Sequence, residues 1–259
     1  MSSRPESNPD LPDTGGTRRR RMPAGLSFAS EPSAADNVRF LADTTWVDAE
    51  GHRHNEQEIF DAVFDMIRRA RRLILLDMFL YNDFEMQIKE PVRTLSHELT
   101  KALVEQKEKH PGMTIIVITD PINTVYGSIR SPAFEMLEAA GVRVVTTDLG
   151  RLPDSNPAYS VLWRLLVKPF GRSSRNRLRN PFDPVGKISL RSYLEMLNCK
   201  ANHRKVVVCD DDATLAALVT SANPHDASSA TSNVAVRFFG PAARDLLASE
   251  NAVLTLSGH

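Results

Sequence analysis

A chain of 259 residues, 42% hydrophobic and 25% charged, is long enough to bury one large core or two small ones and to fold alone. Lys+Arg and Asp+Glu each total 32, so net charge draws the molecule to no polyanion, and any attraction to nucleic acid or anionic lipid has to come from local clusters. Two cysteines, Cys199 and Cys209, do not make a disulfide framework, and no apolar run approaches the ~18 residues of a membrane span.

Residues 1 to about 35 are rich in Ser, Pro, Gly, Asp and Arg and predict a disordered tail, with the globular domain spanning 36–259. Arg18 to Arg21 have no apolar segment behind them, which points to a cytoplasmic protein. From Glu56 the apolar residues Ile59, Phe60, Val63, Phe64 and Ile67 recur at helical spacing, and the arginines from Arg68 to Arg72 suit the negative end of that helix. Leu73 to Leu80 reads as a strand. Ser96 to Glu108 is a second amphipathic helix stopped by Pro111-Gly112, and Met113 to Thr119 is a buried strand. Ser131-Pro132 opens another helix that ends at Gly141, and Val142 to Thr147 is a third strand.

This alternation predicts βαβ units, hence an α/β fold with a mixed, mainly parallel sheet flanked by helices. Lys205 to Asp210, Thr214 to Thr220 and Asn233 to Phe239 are three further strands, and Pro241 starts a last helix. Between the two groups lies an insertion, about 154–198, with a helix at Ala158 to Val167. From Tyr159 to Tyr193 it carries eight Lys or Arg against Asp183 alone, interleaved with Tyr159, Trp163, Phe170, Phe182 and Tyr193. That mixture suits a lipid headgroup interface or a nucleic-acid backbone, and equally an ordinary basic loop.

Chemistry concentrates in Asn202-His203-Arg204-Lys205, followed by Asp210 and by Ser221-Ala222-Asn223. His203 and Lys205 are two apart at the start of a strand, so both project from one face, and Ser221 and Asn223 repeat that geometry at the end of the next strand. An imidazole to attack phosphorus, with an ammonium, a hydroxyl and an amide to hold the non-bridging oxygens, is what phosphodiester chemistry needs. That scheme requires neither metal nor other cofactor.

These residues resemble the signature of the phospholipase D superfamily: His-x-Lys, four residues, Asp, then a Gly-Ser-x-Asn-like element. His203, Lys205 and Asp210 match the first part, and Ser221 and Asn223 the second, with Thr220 where the family has Gly. The resemblance is closest to bacterial phospholipase D-like and cardiolipin-synthase-like proteins. It implies His203, Lys205 and Asp210 as catalytic residues, Ser221 and Asn223 on the substrate phosphate, and a phosphohistidine intermediate. Strict alternation puts Asp210 on the face opposite His203, which favours a structural part for it. The acidic residue that often orients the histidine is replaced near Ser232-Asn233.

The family's reaction uses two such histidines, and no second His-x-Lys occurs here. Two copies must pair, or a second motif must lie in a longer polypeptide. The expected function is a phospholipid phosphodiesterase or phosphatidyltransferase, with peripheral contact at the inner face of the membrane through the insertion. The alternatives are a nuclease on the same fold or a non-catalytic membrane- or partner-binding half. His52-Arg53-His54 reads as a solvated turn, and His225-Asp226 as a turn or helix cap beside the site.

Overall fold

The computed structural model describes residues 29–84, 92–170, 176–183 and 186–259. Its strands are β1 (Asp36–Val47), β2 (Arg53–Glu56), β3 (Leu73–Met78), β4 (Thr114–Thr119), β5 (Arg143–Thr146), β6 (Leu178–Arg179), β7 (Lys187–Ile188), β8 (Lys205–Asp211), β9 (Thr214–Thr220) and β10 (Asn233–Phe239). Helices α1 (Ile59–Arg69), α2 (Leu95–Lys109), α3 (Pro132–Ala139), α4 (Pro157–Leu162), α5 (Leu190–Met196) and α6 (Pro241–Leu256) connect them. The expected helices at 59, 96 and 131 form where their apolar periodicity put them, and Ser131 caps α3 by accepting from the Phe134 amide at 3.4 Å.

Eight strands form one sheet in the order β2-β1-β10-β9-β8-β3-β4-β5. The mixed α/β class stands, but the sheet is mainly antiparallel, a correction to the parallel expectation. Only β3, β4 and β5 run parallel, while every pairing from β2 to β3 is antiparallel. The βαβ rhythm covers only those three strands, and β1 and β2, which the sequence reading does not assign, close the other edge as a hairpin. There Asp48 accepts from the His52 amide at 2.7 Å and contacts His54 Nε2 at 2.7 Å, so His52 belongs to the turn while His54 lies in β2.

Each side of the sheet carries its own helices. Val207 and Cys209 of β8 face the main core with α1, α2 and α3, whereas Val206 and Val208 face Ala243 of α6. Residues 1–28 of the expected tail lie outside the described residues, and Ser33 and Ala34 bond to α6 through Asp245 and the Ala242 amide. Within the insertion, α4 passes directly into a π-helical turn, Trp163–Val167. No helix among the described residues is long and apolar enough to cross a membrane.

Candidate active site

Just before β8 the backbone already alternates, because the Phe79 amide donates to the Arg204 carbonyl at 3.0 Å. The consequence is a division of labour. Asn202 and Arg204 turn toward α6, while His203 and Lys205 turn the other way. Lys205 is buried, and its Nζ lies 3.3 Å from His203 Nδ1, 3.4 Å from Nε2 and 3.2 Å from the His203 carbonyl. Phe79 supports both: its ring centroid is 4.5 Å from the imidazole, and the ammonium lies 5.2 Å from the same ring.

Partial burial, and then the Lys205 charge, lower the pKa of His203, so the imidazole is neutral near neutral pH. Lys205 is also lowered by burial, against the opposing attraction of Asp77. A neutral ring beside an ammonium offers one lone pair and one positive charge to a phosphate.

Behind this pair lies a polar cluster that the sequence reading missed. Asn202 Nδ2 donates to both Asp77 oxygens at 2.8 and 3.0 Å and to Thr147 Oγ1 at 3.0 Å, and its amide donates to Asp120 at 2.8 Å. Arg204 donates to Glu250 at 2.6 Å and to Ser249 at 2.9 Å. Asp77 of β3 and Glu250 of α6 are both fully buried and lie against each other. Burial first, and then the Glu250 charge, hold Asp77 well above the ordinary carboxylate range, with Asn202 and Arg204 opposing. Glu250 Oε2 finds no hydrogen-bond partner among the described residues, and a proton held on Asp77 would give it one. Burial raises Asp120 to about 6 against the amides of Ile122 and Asn202. The one signal for this cluster in the sequence is Asp77, a lone charge inside the apolar run Leu73 to Leu80.

Ser221 and Asn223 reach the same end of the sheet by different routes. Asn223 is buried, and its Oδ1 accepts from the Leu80 amide at 3.0 Å, next to Phe79. Ser221 is exposed; its hydroxyl donates to Asn233 Oδ1 at 3.1 Å and accepts from the Val234 amide at 3.0 Å. Asp210 is not brought to the site. It sits at the other end of β8 and accepts from the amides of Leu73, Arg72 and Arg71 at 2.7, 2.9 and 3.1 Å. Burial alone would raise its pKa, but these donors outweigh it and hold the carboxylate below its ordinary value. In this position the side chain fastens the turn between α1 and β3.

His225, next but one to Asn223, is buried with Nδ1 3.0 Å from the Asn82 carbonyl and with no partner for Nε2 among the described residues. Because a carbonyl only accepts, that contact is a hydrogen bond donated by Nδ1. Asp226 does not cap the turn that follows it, but accepts from the amide and hydroxyl of Ser96 in the first turn of α2 at 3.3 and 3.1 Å. A cavity of about 550 Å³ opens beside the motif rather than over it. Thr147, Tyr126, Trp163, Arg191 and Lys200 line it, and Thr147 is the residue that Asn202 grips. Among the described residues, no group of three or more His, Cys, Asp or Glu side chains is placed to hold a metal ion.

No family model matches the chain, and no curated protein does. Among solved structures it is similar to Nuc from Salmonella typhimurium, described as a phospholipase D family member, with a TM-score of 0.45 at 15% identity over 85% of this chain and 95% of that one. It is also similar to NucT from Helicobacter pylori, with a TM-score of 0.36 at 12% identity over 84% and 97% of the respective chains. Likeness to phospholipase D structures at this level assigns no residue a role and names no substrate.

Proposed function

We propose that this chain carries one half-site of a phospholipase D-like enzyme that cleaves or transfers the phosphodiester of a phospholipid. The observation behind it is the neutral His203 imidazole with the Lys205 ammonium 3.3 to 3.4 Å from its nitrogens. A His203 nitrogen attacks phosphorus, the bond from phosphorus to the leaving alkoxide breaks, and Lys205 offsets the charge that grows on the non-bridging oxygens. The leaving oxygen takes its proton from the opposite side, a task that suits the equivalent histidine of a second copy. Water or an alcohol then attacks the phosphohistidine from that side, giving up its proton to the same group and releasing His203.

The phospholipid reading over nucleic acid is supported by charge. A polyanion needs a continuous cationic track, but the chain is neutral overall and the neighbouring cavity mixes Arg164, Lys168, Arg191 and Lys200 with Asp148, Asp154 and Glu195. One phosphate with a polar headgroup suits such walls. Pairing of two copies is supported by an exposed apolar row in register across three strands, Phe40, Val236 and Val219, that ends two residues from Ser221. The deciding experiment incubates the protein with phospholipids and with single-stranded DNA, then traps acid-labile phosphohistidine. Labelled His203 from phospholipid, abolished in His203→Ala, is the expected result. Turnover of DNA alone would select the nuclease, and normal turnover by His203→Ala would overturn the half-site.

A further inference from the structure

One side of α4 is tied to the rest of the insertion by polar contacts: Ser160 Oγ bonds Asn198 at 3.2 Å, the Tyr159 hydroxyl donates to the Leu194 carbonyl at 2.7 Å, and Arg191 donates to the Val167 carbonyl at 3.0 Å while its guanidinium lies 5.1 Å from the Trp163 ring centroid. Several large apolar side chains of the other side point outward. Leu165, Leu166 and Phe170 are 68%, 64% and 71% exposed, and Leu162, Leu190 and Leu197 flank them, each more than half exposed. Residues 161, 162, 165 and 166 share one helical face, opposite buried Ser160 and Trp163, so the exposure follows from the register of α4 and its π-helical turn.

Such a contiguous exposed patch marks an interaction site. Its surroundings choose the partner. Lys168 stands on the ridge itself, and the β6–β7 hairpin, held by the Tyr193 hydroxyl on the Arg179 carbonyl to the same α5 that packs on the ridge, adds exposed Arg177, Arg179 and Lys187. Between Tyr159 and Tyr193 the sole acidic residue is Asp183. Apolar side chains ringed by cations match an anionic bilayer, whose headgroups take the charge while its acyl boundary takes the leucines.

We propose that the α4 ridge is a membrane-seating element that docks the protein on an anionic lipid surface; its use in delivering substrate rests on the phospholipid reading of the His203 site. The cavity makes the connection. Trp163, Arg164 and Lys168 line it from the ridge side, and Thr147, the residue that Asn202 grips, lines it from the side of the motif.

The test floats the whole protein on vesicles of phosphatidylcholine alone and of phosphatidylcholine mixed with phosphatidylglycerol, alongside the triple variant Leu165→Gln, Leu166→Gln, Phe170→Gln. These side chains are exposed, so the variant should keep its thermal midpoint. Wild type should float with the anionic vesicles and less with the neutral ones, salt should weaken it, and the variant should lose about ten-fold or more in partitioning. Equal flotation of variant and wild type, or no flotation of wild type, would overturn the ridge. So would a wild type that ignores vesicles but is dimeric by light scattering where the variant is monomeric. Turnover of a soluble short-chain phosphodiester reports separately on His203: the variant should retain it, and a protein that floats without turning it over would end the catalytic reading while leaving the ridge in place.

Discussion

His203 takes its chemistry from a neighbour two residues away. Both partial burial and the Lys205 ammonium disfavour the imidazolium, so its folded-state pKa lies below the ordinary histidine value. Because the folded state binds this proton more weakly than the unfolded chain, the linkage costs no stability at high pH and opposes folding as pH falls through the ordinary histidine range. For activity the sign is the same: the acid limb of turnover should lie below pH ~6.5, the unperturbed value. Lys205→Met keeps the apolar stem against Phe79 and removes the charge. The histidine C–H resonances of that variant, followed by NMR against pH, should show His203 titrating at higher pH than in wild type, and turnover should fall by about 10²-fold or more. An unmoved titration would mean that Lys205 does not set the state of His203.

At the scale of an element, β8 does different work at its two ends. Lys205 opens it at the chemical end, whereas Asp210 closes it as the acceptor of three backbone amides. Asp210→Ala leaves those donors unpaired and should cost about 1–3 kcal/mol in urea denaturation, while His203→Ala, at an exposed position, should cost well under that. Turnover should show the reverse order, with Asp210→Asn near wild type. A collapse of turnover in folded Asp210→Asn would return Asp210 to the chemistry.

The Asp77–Glu250 pair joins β3 to α6 and holds the residues on either side of His203. A carboxyl raised in the folded state favours folding at low pH and loses that contribution as pH rises through its folded value, above the ordinary carboxylate range. Glu250→Gln replaces the shared proton with an amide donor. Its stability should therefore decline less steeply on alkaline titration than that of the wild type, since burial alone still raises Asp77, and the double variant Asp77→Asn, Glu250→Gln should be the least stable because Arg204 is left without a carboxylate. Parallel pH profiles for Glu250→Gln and wild type would show that no proton is shared.

For the whole molecule the issue is completeness. In-line transfer calls for a group on each side of phosphorus, and this chain holds one His-x-Lys. The uncovered row of Phe40, Val236 and Val219 offers a place for a second copy. Phe40→Asp should then convert dimers to monomers in light scattering, and activity should fall on dilution. Mixing His203→Ala chains into wild type should lower turnover beyond simple dilution, since each mixed dimer lacks one histidine. A monomer with full activity would remove the second copy from the mechanism, and His225, with its unpartnered Nε2, would be the next group to substitute.

Sequence alone determined what depends on local repetition. The 3.6-residue spacing gave α1 and α2, and Ser131-Pro132 gave the start of α3. The two-residue period gave β8, β9 and β10 and put His203 with Lys205 on one face and Asp210 on the other. Tertiary structure decided everything that depends on which strands become neighbours. That β8 inserts antiparallel beside β3 reverses the expected character of the sheet. The same insertion brings Asp77, Asn202 and Glu250 together from positions up to 173 residues apart, and no spacing rule connects them. Nor does composition tell an outward leucine from an inward one. Leu165 and Leu166 lie in a helical run like those of the core, and only the packing of Trp163 and Ser160 against α5 leaves them facing solvent, because a helix can bury just one of its faces against a single partner layer.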